Sequence, residues 1–215
     1  MKTDLKWILH RPENVISTVL YGIMVLVIVH FSLPAGGGTS VVMGTSALWL
    51  AIILSSILGL PRLQHHPDAM AFLPQLLTGK VTPGGYYWAK LCSGFFITVF
   101  TAIVLYPMAT LLFRFPPGIE IVHGCAIYLL GAIGVAVVLT LGSALTVGRE
   151  AWMLPLLVFP LLIPVVLAGT QLMNSSIRPD VVFPWAWLHL LIAYNLLLLL
   201  GGWFLSEFLW EELPE

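Results

Sequence analysis

The apolar positions of this chain fall into six long runs, approximately Val15–Leu33, Val41–Leu60, Ala89–Phe113, Ile121–Val147, Trp152–Met173 and Ala186–Ser206. Each is near or above the ~20 residues that carry a helix across a bilayer. Apolar residues occupy every face of these runs. The alternation that a membrane barrel strand requires is missing, so they predict helices. Most breaks are short and turn-like: Pro34-Ala35-Gly36-Gly37-Gly38, Pro116-Pro117-Gly118, and Asn174-Ser175-Ser176 leading to Pro179. One break differs. Pro61 to Trp88, reading PRLQHHPDAMAFLPQLLTGKVTPGGYYW, is the long polar interruption of the chain.

Composition agrees with this pattern. Hydrophobic residues make up 59% and charged residues 9% of the 215 residues, against roughly 25% charged in a soluble domain. So few charges could not cover a soluble surface. The expected fold is an all-α integral membrane protein with six transmembrane helices in one domain spanning 1–215. The net charge of −1 and the lack of a basic surface argue against nucleic acid as a partner.

Residues 1–14, MKTDLKWILHRPEN, interleave Lys2, Lys6 and Arg11 with Leu5, Trp7, Ile8 and Leu9. This spacing predicts an amphipathic segment lying along the membrane surface. The run that follows exceeds the ~7–15 residues of a signal-peptide core and has no clean small-x-small site after it, so it reads as retained. Placing the amino terminus inside puts Lys2, Lys6, Arg11, Arg62, Lys80, Lys90 and Arg149 on the cytoplasmic side, and Arg114 and Arg178 outside. That bias fits the positive-inside rule, and six spans then return the carboxyl terminus to the cytoplasm. On this topology Cys92 and Cys125 lie about a membrane thickness apart, too far to bridge.

Catalytic patterns are missing from the sequence. Thr78-Gly79-Lys80 resembles the end of a phosphate loop, but position 74 is Pro74 where the earlier glycine belongs, and Val81 stands where Ser or Thr would hold magnesium. Any ATP used would be bound by another chain. Buried carboxylates of an ion-coupled carrier are also lacking in the runs. The fourth run carries Gly124, Gly131, Gly134 and Gly142 with Ala126, Ala132, Ala136 and Ser143 between them, the composition of a close-packing helix. The fifth carries Pro155, Pro160 and Pro164. Each proline removes a backbone donor, so these three are candidates for a kink, either static or a gating hinge.

Within 61–88, a short helix of roughly 68–77 is expected, with Asp68 as its cap and Pro74 bending it. Phe72, Leu73, Leu76 and Leu77 form an apolar patch, with Gln75 among them. A cytoplasmic helix carrying such a patch calls for a partner groove.

At this point the residues resemble a known family. Leu145-Thr146-Val147-Gly148, a charged turn, and then Leu157-Val158-Phe159-Pro160-Leu161-Leu162-Ile163-Pro164 look like CcmB, the membrane subunit of the cytochrome c maturation ABC transporter. Asp4-Leu5-Lys6 with His10-Arg11-Pro12-Glu13 resembles that family's start, and Leu73, Gln75, Leu76, Leu77 and Ala89-Lys90 its first cytoplasmic loop. Pro74 departs from the family pattern, which has an acidic residue there. The resemblance implies a type-2 ABC exporter permease in the bacterial inner membrane, non-catalytic itself, present as two copies or in a hetero-complex. Its expected partners are the cytoplasmic ATPase CcmA, which would hold Mg-ATP, together with CcmC, CcmD and the heme chaperone CcmE. The stretch 61–88 would then be the coupling loop, with Asp68, Phe72, Leu73, Gln75, Leu76 and Leu77 docking on the ATPase. No cofactor is expected on this chain itself. Heme would be a handled ligand, and His30, His123 and His189, near the outer helix ends, are candidate contacts because neutral imidazole binds iron. The residues themselves leave other classes open: a type-2 permease with a different substrate, or a polytopic scaffold or enzyme working without an ATPase.

Overall fold

A computed structural model describes residues 12–33, 41–64, 83–115, 121–145, 153–177 and 182–211. These form six helices: α1 Pro12–Ser32, α2 Val41–Gln64, α3 Pro83–Phe113, α4 Ile121–Leu145, α5 Met153–Ile177 and α6 Trp185–Glu211. They run from 21 to 31 residues, or about 30–45 Å at 1.5 Å per residue, against a hydrocarbon core of ~30 Å. Five are long and apolar enough to cross a membrane, while α2 contributes a shorter apolar stretch, Val42–Leu58. The all-helical expectation holds, with no strand among the described residues.

Contacts between helix ends show that successive helices alternate in direction. The last turn of α1 meets the last turn of α3 where His30 packs edge-on to Phe113, ring centroids 5.5 Å apart. The first turn of α2 joins that end too, since Gly44 sits against Phe113 and Phe115. Thr45 also hydrogen-bonds Asn174 in the last turn of α5. At the opposite end, Gly84 of α3 faces Trp203 of α6, and Gly142 of α4 faces Leu154 and Val158 of α5. We call the end where α1 begins and α6 finishes proximal, and the other distal. The connectors after α2 and after α4 leave from the proximal end.

Helices α2 and α4 form the centre. Leu48, Ala51 and Ile52 of α2 pack with Leu26 of α1 and with Ala102, Leu105 and Ala109 of α3. Its other face sends Trp49, Ile53 and Ile57 into a second cluster with α4 and α5. A helix apolar all round belongs in the middle of a bundle. Helix α4 has the highest buried share of the spans, 67% of Gly124–Ser143. Its small residues explain this, because a side chain at Gly142 would collide with Val158. The outer helices instead turn one stripe to lipid: Ile16, Leu20, Met24, Ile28 and Phe31 on α1, and Leu156, Phe159, Ile163 and Leu167 on α5. Buried hydroxyls return their hydrogen to the helix itself, as Thr98 does to Gly94 O, Thr101 to Ile97 O and Thr140 to Ala136 O.

Most of the helices outrun their apolar runs, α2 and α3 doing so on either side of the long polar stretch. Helix α2 continues through Gln64 and α3 starts at Pro83, so both ends of the stretch read as loop, 61–64 and 83–88, are helical. Proline suits the start of a helix, where its missing donor has no intrahelical partner. Tyr87 then anchors this extension. It is 4% exposed and packs against Gly202 of α6, where a side chain would strike its hydroxyl.

Candidate functional site

The expected docking residues Asp68, Phe72, Leu73, Gln75, Leu76 and Leu77 lie outside the described residues, as does the surface segment 1–11. What the structure does establish is where they attach. Residues 65–82 link the proximal end of α2 to the proximal end of α3, so they attach at the end where α1 begins, α6 finishes and the α4–α5 connector joins.

The three prolines of α5 divide into two kinds. Pro155 is the third residue of the helix, in its first turn, where no intrahelical bond is lost. Pro160 and Pro164 lie inside it, and their missing donors free the carbonyls of Leu156 and Pro160. One residue past the second of these carbonyls, the hydroxyl of Tyr194 on α6 donates to Leu161 O at 2.7 Å. A neighbouring helix thus adds a donor beside the interrupted stretch, at a carbonyl that neither proline frees. Pro107 inside α3 is another interior proline. Thr110 Oγ1 donates to its carbonyl at 2.7 Å.

The histidines are not brought together in any described contact. His30 is half-buried at the distal end of α1, its ring set against Phe31 and Phe113. His189 is exposed on α6 beside Trp185, centroids 6.5 Å apart. His123 lies in the first turn of α4. All three occupy the distal end, but among the described residues no cluster of three His, Cys, Asp or Glu could hold a metal ion. Cys92 and Cys125 are unpaired, on opposite ends of the bundle as the topology required.

Several residues unremarked in the sequence become prominent. Trp49, 1% exposed, passes from α2 into a slot between α4 and α5. A side chain at Gly131 would collide with its six-membered ring, and a Cβ at Gly169 would lie 2.6 Å from Cζ2. Tyr128 stacks on the indole at 5.7 Å. In mid-bundle Asn195, 5% exposed, donates from Nδ2 to Leu130 O at 2.8 Å and ties α6 to α4. Its Oδ1, which has no hydrogen-bond donor, lies over Gly134. The available signals were a tryptophan far from the helix ends and a neutral amide inside an apolar run. On the membrane side, Trp88, Leu91, Cys92 and Phe95 of α3 line a cleft of about 220 Å³ with Ile133 of α4 and Leu199 of α6.

Such a bundle, with several long apolar helices and apolar faces outward, is that of a polytopic membrane protein. The chain belongs to the CcmB protein family, whose model matches residues 1–207. It is 26% identical over 156 residues to the heme exporter protein B of Rhodobacter capsulatus, covering 72% of this chain and 71% of that protein. No solved structure matches it.

Proposed function

We infer that this chain is the membrane permease subunit of an ATP-driven ABC transporter that handles heme for c-type cytochrome maturation. The observation that carries this is the family match across nearly the whole chain, supported by a relative whose name is heme exporter protein B. In this reading the protein sits in the bacterial inner membrane with its proximal end in the cytoplasm. That orientation places Lys2, Lys6, Arg11, Arg62, Lys80, Lys90 and Arg149 inside and leaves Arg114 and Arg178 outside.

The chain itself is non-catalytic. A separate ATPase of the CcmA type binds Mg-ATP and docks on the 65–82 connector through Phe72, Leu73, Leu76 and Leu77, around Asp68 and Gln75. Hydrolysis there is coupled through the bundle to release of a heme-loaded chaperone of the CcmE type at the distal face, with CcmC and CcmD in the same assembly. The prolines of α5 supply the bendable element of that coupling.

Affinity purification of the tagged chain from its native membrane tests the reading. A nucleotide-binding protein with a Walker motif should co-purify, and the complex should hydrolyse ATP. A complex with neither would leave a scaffold or membrane enzyme as the better description.

A further inference from the structure

We propose that α5 consists of two mechanical halves meeting at the Pro160–Pro164 turn, with the Tyr194 hydroxyl of α6 as the latch that holds the proximal half in place. The proposal deepens the reading of these prolines as a bendable element.

The distal half is clamped from two sides. Val165, Ala168, Leu172 and Met173 are fully buried, Trp49 of α2 lies over Gly169, and Asn174 accepts from the Thr45 hydroxyl. A tryptophan seated between two glycines cannot shift without moving α2 and α4 as well, because packed interiors resist small displacements. The proximal half is held differently. Leu154, Val158 and Leu162 are buried on one face only, the first two against Gly142 of α4. Leu156, Phe159 and Ile163 point away from the bundle, at 68%, 45% and 55% exposure.

Between the halves, two successive turns lack a backbone bond, since Pro160 and Pro164 have no donor for Leu156 O and Pro160 O. Among the described residues, the bond from Tyr194 to Leu161 O at 2.7 Å is the side-chain hydrogen bond that crosses from another helix to this turn. Breaking it frees the proximal half to swing while the distal half stays seated. The moving end leads into residues 146–152, on the same side of the bundle as residues 65–82, so displacement there reaches the end at which a cytoplasmic partner would dock.

The test is hydrogen–deuterium exchange with mass spectrometry on the full chain in detergent micelles, comparing peptides within 153–163 and 166–177. Tyr194→Phe keeps the ring and removes the donor. It should speed exchange in the proximal peptides roughly three- to fivefold, the factor one such bond is worth, and leave the distal peptides unchanged. Pro164→Ala restores a donor to the turn and should slow the proximal peptides, so the idea stays testable if the tyrosine variant fails to fold. Equal change in both halves, or none in either, would overturn it. Neither measurement uses the ATPase, so failure here leaves the permease assignment standing, and failure of the co-purification leaves the latch standing.

Discussion

Substitution of Gly169 by alanine isolates the contact that joins α2 to α5. The new Cβ would lie 2.6, 2.7 and 3.0 Å from Trp49 Cζ2, Cε2 and Cη2, all closer than van der Waals contact. The indole cannot retreat, because Gly131 bounds it on the other side and Tyr128 stacks on its face. Overpacking of this kind costs about 1–3 kcal/mol. Alanine returns up to ~1 kcal/mol through its better helix propensity, so the net loss should be about 1 kcal/mol. Trp49→Leu empties the slot, and in that background the same Gly169→Ala change should be neutral or stabilising. The coupling energy of the cycle is then roughly 1–3 kcal/mol. Unfolding by SDS titration of the purified protein in mixed micelles would measure it. If Gly169→Ala has the same effect with and without Trp49, the slot is not what holds these helices together.

Other outcomes follow from the same geometry and from the proposed function. Phe72→Ala with Leu76→Ala should weaken ATPase co-purification at least tenfold without lowering the SDS midpoint, since both residues lie in the connector; normal ATPase binding would remove this stretch from the docking role. His30→Ala, His123→Ala and His189→Ala, made singly, should leave heme co-purification with the assembled complex unchanged, because histidine near a helix end suits the headgroup zone without any ligand; a clear drop in any one would make that histidine a heme contact. Arg114, which follows α3 with φ 52°, holds a left-handed conformation that costs a side chain more than it costs glycine. Arg114→Gly should therefore raise the unfolding free energy by about 0.5–1 kcal/mol, and a lower value would mean that its guanidinium contributes more than the backbone strain costs.

How much of this was legible beforehand depends on the kind of signal. Five of the six helix boundaries on the distal side agree with the apolar runs to within one residue, since turns rich in proline, glycine or small polar residues mark them, and α5 runs four residues further. The boundaries at 61–64 and 83–88 were missed because proline, glycine and tyrosine look like loop in composition, whereas Tyr87 gains a buried site against Gly202 only after α6 has returned to the same end. The close-packing role of α4 was visible in its small residues. Their partners were not: nothing local to Gly131 and Gly169 says that one indole fills the space beside both. The α5 prolines were equally visible, but Pro155 differs from Pro160 and Pro164 only by its distance from a helix start at Met153.

The sequence by itself determined the solvent this protein lives in, the number and approximate extent of its helices, the charge asymmetry between its two ends and its family. These are sums over many residues or patterns continuous along the chain, so no knowledge of neighbours is needed to read them. Only the tertiary structure decided which helices are central, that Trp49 is a wedge and not an interfacial anchor, and that Tyr194 and Asn195 reach backbone carbonyls on α5 and α4. The reason is physical. Inside a membrane nearly every side chain is apolar, so hydrophobicity no longer distinguishes core from surface, and the distinction passes to shape and to the few hydrogen bonds made between helices.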